Sequence, residues 1–141
     1  MKKIKITYWI TTAIIVLFDG VIPAFTFNTA LAKQGVSHLL YPDYFRIAIT
    51  MFKVAGAIIL ITPSLKGRIK EWAYAGFAFV FAFASISHFV VDGMNFQSFF
   101  PLIFLGLLAL SYISFHKLNS FNQGNSFTSN NKIPNKIALS R

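Results

Sequence analysis

Hydrophobic and polar positions divide the chain into four long apolar segments followed by a polar C-terminal segment. A helix rises 1.5 Å per residue, so about 20 apolar residues cross a hydrocarbon core of about 30 Å. The four apolar segments have about this length and cover residues 6–27, 44–62, 72–91 and 99–115. The pattern therefore predicts an all-α protein, folded as an antiparallel four-helix transmembrane bundle.

Helix-breaking and helix-capping residues support the boundaries of the second segment. Pro42 and Asp43 precede it, as a breaker and an N-cap, and Pro63 ends it. The loop between the first and second segments is long for a helix hairpin. It has room for one short helix, which we expect to begin after Asn28 as a cap and to end at Gly35.

The composition agrees with a protein that faces lipid. Hydrophobic residues make up 55% of the chain and charged residues 12%, whereas a water-facing domain has about 25% charged residues. The chain has no cysteine, which excludes disulfides and Cys-ligated metal centres. Asn, Ser, Gln and Lys dominate after residue 118, with too few large apolar groups for a core. We therefore predict a membrane domain over residues 1–118 and a disordered cytoplasmic tail over 119–141.

The formal net charge is +9, from 13 Lys and Arg against 4 Asp and Glu. The positions of these charges along the chain decide how the excess is interpreted. The cations flank apolar spans and form no single exposed stripe, so we predict no nucleic-acid partner. Only Lys33 and Arg46 lie on the side of the first and third loops. Ten cations lie on the side of the two termini and the second loop: Lys2, Lys3, Lys5, Lys66, Arg68, Lys70, Lys117, Lys132, Lys136 and Arg141. The positive-inside rule places both termini in the cytoplasm and the protein in the cytoplasmic membrane.

Two opposite charges lie within the first two predicted spans. Asp19 and Lys53 are each about 12 Å below the outer boundary of the membrane at 1.5 Å per residue, and this matching depth favours pairing. Thr50 shares a helix face with Lys53 and is a supporting residue. Two interpretations stay open: a relay for a proton or a substrate ion, and a structural ion pair that lets both helices insert.

His88 is the third ionisable side chain of this predicted polar centre. It lies about one turn below the outer boundary, with Asp92 one turn further on, where the carboxylate can orient the imidazole. Ser85 lies on the same face and supports it. The alternatives are a proton-transfer group, a ligand to a quinone, or a structural histidine hydrogen-bonded to a neighbouring helix. We predict no metal site. We also predict no haem held by two histidines, because His38 lies in a loop and His116 at the opposite interface.

Several short motifs resemble those of the DoxX-like family of small four-helix membrane proteins. The string KEWAYAG, residues 70–76, enters the third span, and the likeness extends over about residues 8–115. The other matching motifs are Tyr8-Trp9-Ile10, Tyr41-Pro42-Asp43-Tyr44-Phe45, Lys53 with Gly56, Ser87-His88 and Ser111-Tyr112. Glu71, Lys53 and His88 occupy matching positions. We expect Glu71 to be a further supporting residue, whose carboxylate is favourable at the positive N-terminus of the third helix.

The resemblance implies the fold and, more weakly, a function. The wider DoxX group is similar to subunits associated with thiosulfate:quinone oxidation and with membrane oxidoreductase complexes. We therefore expect a multi-pass membrane protein that is not catalytic alone, with a polar centre of Asp19, Lys53 and His88 that binds a small ligand or supports a membrane redox partner. The alternatives are a quinone-linked oxidoreductase subunit, with quinone as the cofactor, and a small proton-coupled transporter. The expected partners are the lipid bilayer and either a second copy of the chain or a redox protein.

Overall fold

Four helical stretches of the protein are long and apolar enough to cross a membrane. They are Lys2–Thr26, Asp43–Ile61, Arg68–Asp92 and Phe96–Asn122. The computed structural model describes residues 2–65 and 67–132, and this part of the chain contains helices and no strand. In order, the helices are α1 (Lys2–Ile15), α2 (Ile22–Thr26), α3 (Ala30–His38), α4 (Asp43–Ile61), α5 (Arg68–Asp92) and α6 (Phe96–Lys132). The predicted all-α fold with four membrane-spanning helices is confirmed.

The first span is continuous but contains a wide turn, which we call the π segment, over Val16–Val21. At its end the backbone N–H of Ile22 donates to the carbonyl of Leu17, five residues earlier. Pro23 lies in the first turn of α2 and has no N–H for the carbonyl of Asp19, its partner in a regular α-helix. The wider turn accommodates this missing hydrogen bond and keeps the two halves of the span in one helix.

The contacts between neighbouring spans show the relative direction of the helices. As residue numbers rise along the first span, the residues that they contact on α6 fall: Tyr8 with Phe115, Thr12 with Ser111, and Phe18 with Phe104. The same order relates α5 to α6, through Tyr74 with Ser111 and Ser85 with Ser98. It is the register of helices that run in opposite directions.

Polar side chains join three helices inside the bundle. The hydroxyl of Ser111 lies 2.8 Å from the hydroxyl of Thr12 and 2.8 Å from that of Tyr74, which links α1, α5 and α6. Thr12 and Ser111 are as fully buried as the apolar core residue Ile15. Lipid tails are as apolar as leucine, so packing and hydrogen bonds of this kind drive helix association in a membrane.

The loop after the first span contains α3, as expected, but with different ends. Thr29 caps it by accepting a hydrogen bond from the backbone N–H of Ala32, and the helix continues through Gly35 to His38. Asn28 is therefore not the cap and Gly35 is not the terminator. The longer helix carries His38 back over the end of the bundle.

At the C-terminal end, α6 continues as helix to Lys132, beyond the predicted end of the fourth span at residue 115. Residues 133–141 lie outside the described part of the chain, as does Lys66 in the second loop. The division into a membrane domain over 1–118 and a tail over 119–141 stays a prediction.

Candidate functional site

Asp19 and Lys53 form an ion pair between the first span and α4. The Nζ atom of Lys53 donates a hydrogen bond to Oδ1 of Asp19 over 2.6 Å. The side chains of Asp19 and Lys53 are 12% and 21% exposed, so the bundle largely covers both charges. Asp19 belongs to the π segment and lies one helical turn before Pro23.

A close approach of two helix backbones accompanies this ion pair. A Cβ atom built on Gly20 would lie 2.5 Å from the Cβ atom of Ala57, closer than real side chains come. Gly20 follows Asp19 directly, and Ala57 is one helical turn after Lys53. The missing side chain at position 20 therefore lets the two helices come near enough for the two charges to meet.

Lys53 also lines an apolar cavity of about 260 Å³ between α4 and α5. The other residues that shape it include Phe52, Gly56, Trp72, Gly76 and Phe77. Phe52 and Trp72 are 76% and 80% exposed, so the cavity opens to the lipid-facing surface of the bundle. A Cβ atom on Gly76 would meet nothing within 4 Å, which means that this glycine leaves open space for an occupant.

His88 belongs to a second cluster at the end of α5. Its Nδ1 atom lies 2.6 Å from Oδ2 of Asp92, and the other oxygen of Asp92 forms a hydrogen bond with Nε2 of His38. One carboxylate therefore bridges two imidazoles, one from α5 and one from α3. Over residues 2–65 and 67–132, no hydrogen bond or ion pair links this cluster to Asp19 or Lys53.

The predicted supporting residues have separate local roles. The hydroxyl of Thr50 donates to the carbonyl of Arg46 in its own helix. The hydroxyl of Ser85 donates over 2.7 Å to the carbonyl of Ser98 and ties α5 to the start of α6. Glu71 lies 3.9 Å from Nε2 of His116 at the opposite end of α5 from His88. In the described part of the chain, Thr50, Ser85 and Glu71 form no hydrogen bond or ion pair with the Asp19–Lys53 pair.

Lys70 is a buried cation whose burial the sequence pattern did not predict, because its charge was assigned to the cytoplasmic side with those of Lys66 and Arg68. It is 2% exposed, and its Nζ atom donates to the hydroxyl of Tyr8 over 2.9 Å and to the carbonyl of Leu60 over 3.1 Å. A signal was present in the sequence. Lys70 precedes the core residues Tyr74 and Phe77 at helical spacing, so it shares their buried face.

No metal site emerges from the part of the chain that the structure describes. It contains no group of three or more His, Asp or Glu side chains placed to hold a metal ion. The cavity beside Lys53 combines a polar donor with an apolar wall, which makes it a candidate site for an organic ligand.

The model of the DoxX-like family matches residues 7–111, about three quarters of the chain. The protein belongs to the DoxX-like family. No curated protein and no solved structure matches it significantly. Membership and the four apolar helices together establish that this DoxX-like chain is a multi-pass membrane protein. The ion pair, the histidine cluster and Lys70 all lie within the matched residues.

Proposed function

We propose that this DoxX-like membrane protein binds a small lipid-soluble ligand that accepts hydrogen bonds, such as the ring of a quinone, in the cavity between α4 and α5. The observation that carries the proposal is the Lys53 side chain at the wall of an otherwise apolar cavity. An ammonium group has three donors, and Lys53 gives one of them to Asp19. A quinone carbonyl is a suitable acceptor for another.

The size and opening of the cavity favour a ring over a larger molecule. Pockets for drug-sized ligands hold about 300–1,000 Å³, and this one holds about 260 Å³. A ring fits inside, and an attached tail can pass between Phe52 and Trp72 into lipid. We propose no catalysis by this chain alone. A bound quinone would instead exchange electrons with a membrane redox partner.

The two tryptophans of the chain allow a direct binding measurement. Trp72 lines the cavity and Trp9 does not, so the Trp9→Phe variant reports on the cavity alone. We expect menadione to quench its fluorescence saturably in detergent. In the same background, Lys53→Met removes a charged hydrogen bond of about 1.5–3 kcal/mol, which predicts binding weaker by about tenfold or more.

A matched pair of glycine variants separates binding from misfolding. Gly76→Leu fills the cavity, whereas Gly106→Leu places the same side chain at another helical glycine that faces open space and lines none of the cavities described. We expect Gly76→Leu to abolish saturable quenching and Gly106→Leu to preserve it. Equal quenching in both variants, or quenching that rises linearly without saturation, would overturn the proposal.

We also propose that both termini of this protein are cytoplasmic, with the histidine cluster near the outer face. The support is the distribution of cations, because ten of them lie near the two termini, in the loop between the second and third spans, or in the first turn of α5. Under this orientation, the histidine cluster and the buried Lys70 side chain lie near opposite faces of the membrane.

A further inference from the structure

A second cavity, unrelated to the proposed quinone site, lies at the end of the bundle where α1 begins. It holds about 490 Å³ and is closed on one side by the loop between α4 and α5. Its polar wall consists of Lys2, Lys5, Tyr8, Lys70, Asn119 and Asn122. Three cations therefore surround one space, and no carboxylate is present among the described residues that line it.

Lys70 is the buried member of this set, and in the part of the chain that the structure describes its contacts are neutral. Its two hydrogen-bond acceptors are a phenol and a backbone carbonyl, and the rings of Tyr8 and Phe115 lie 5.6 Å and 5.3 Å from its Nζ atom. Over residues 2–65 and 67–132, no carboxylate lies within 4.0 Å of it. A buried cation is stabilised by a compensating charge, which a bound anion would supply.

The neighbouring acidic residue does not fill that role. Glu71 follows Lys70 directly, but it lies against His116 and lines a different cavity, with Tyr74 and Tyr112. Lys2 and Lys5, by contrast, are three residues apart on α1 and line the same cavity as Lys70. The local charge of this cavity is therefore positive, and its lysine and amide donors match a phosphate group.

We propose that this cavity binds a phosphate-bearing anion. The apolar part of the wall, formed by Trp9, Pro63, Leu65 and Leu118, favours the phosphodiester headgroup of an anionic lipid over soluble phosphate. Indole rings are typical of the membrane interface, and basic pockets between membrane helices bind anionic lipid headgroups. The site does not depend on the function proposed for Lys53.

The test measures the thermal unfolding midpoint of the full chain, purified in a nonionic detergent, with three additions. Phosphatidylglycerol should raise the midpoint by several degrees, because a ligand that binds the folded state stabilises it, and phosphatidylcholine should leave it unchanged. Lys5→Gln should increase the half-saturating concentration of phosphatidylglycerol about fivefold, the contribution of one lysine near an anionic lipid. Lys3→Gln is the matched control, since it removes the same charge from the same helix turn outside the cavity.

Inorganic phosphate, the third addition, distinguishes the two sources of the anion. If phosphate alone raises the midpoint with the same dependence on Lys5, the proposed chemistry holds and the ligand is soluble phosphate. Equal weakening by Lys3→Gln and Lys5→Gln would show general surface attraction and would overturn the site. The absence of any shift with phosphatidylglycerol and with phosphate would overturn it as well.

Discussion

Lys53 is a cation in the middle of a membrane helix, and its position is explained by a single partner. A lysine at the centre of a span costs about 2.5–3.5 kcal/mol on insertion scales. Asp19 lies 2.6 Å away and offsets this cost. The paired Lys53 side chain lies at the cavity wall, where it can donate to the ligand that we propose.

A double-mutant cycle tests this pair. We expect Asp19→Asn and Lys53→Met each to lower the free energy of unfolding by about 3 kcal/mol, because each leaves one covered charge without its partner. The double variant should recover part of the loss, since it buries no unpaired charge. Unfolding in detergent, followed by circular dichroism, measures all four proteins. If the double variant is no more stable than the less stable of the two single variants, the two residues are not coupled.

The first span owes its shape to a few residues within one helical element. Pro23 interrupts the hydrogen-bond ladder, the π segment absorbs the interruption, and Asp19 lies within it. Gly20 then permits the close approach to Ala57. Wide turns of this kind are frequent at functional sites, and here the turn directs a carboxylate towards the neighbouring helix.

Substituting Gly20 tests the importance of the close approach. Gly20→Ala places a Cβ atom 2.5 Å from that of Ala57, so the helices must separate, at a cost of about 1–3 kcal/mol. Gly106→Ala is the matched control, because its Cβ atom meets nothing within 4 Å and alanine favours a helix by up to about 1 kcal/mol. We expect Gly20→Ala to lower the thermal unfolding midpoint and Gly106→Ala to keep or raise it. Equal midpoints would contradict the role assigned to Gly20.

The whole molecule has two chemically different ends. One carries the bridged histidines around Asp92, and the other carries the lysine-lined cavity around Lys70. Under the proposed orientation, the lysine-lined end lies on the cytoplasmic side. That cavity then faces the leaflet whose anionic lipids attract basic segments.

Cysteine labelling tests the orientation, and the chain has no cysteine of its own to interfere. Lys33→Cys places a thiol on α3, and Ser120→Cys places one at an exposed position of α6 beyond the core of the fourth span. A membrane-impermeant maleimide should label position 33 in intact cells and position 120 only after permeabilisation. Labelling in the reverse pattern would invert the proposed topology.

The four spans and the Asp19–Lys53 contact were predictable from the sequence, because both depend on distance along a helix. Lipid requires each backbone polar group to be satisfied internally, so an apolar run of sufficient length must be helical. Once two spans are antiparallel neighbours, residues at equal depth can meet, as Asp19 and Lys53 do. The π segment of the first span was not predicted, although Pro23 was visible in the sequence. The apolar pattern there fits one continuous helix and does not indicate a wider turn.

Other parts of the site depended on which helices pack together. The bridge between His38 and Asp92 arises because α3 runs past Gly35 and returns over the end of α5, and no periodicity within α5 contains that information. Lys70 becomes a buried donor because Tyr8 of α1 and Leu60 of α4 converge on it. By itself, the sequence determined the number, length and polarity of the spans, which follow from transfer into lipid. The tertiary structure decided which charges have partners and where cavities remain, because these depend on contacts between residues far apart in the chain.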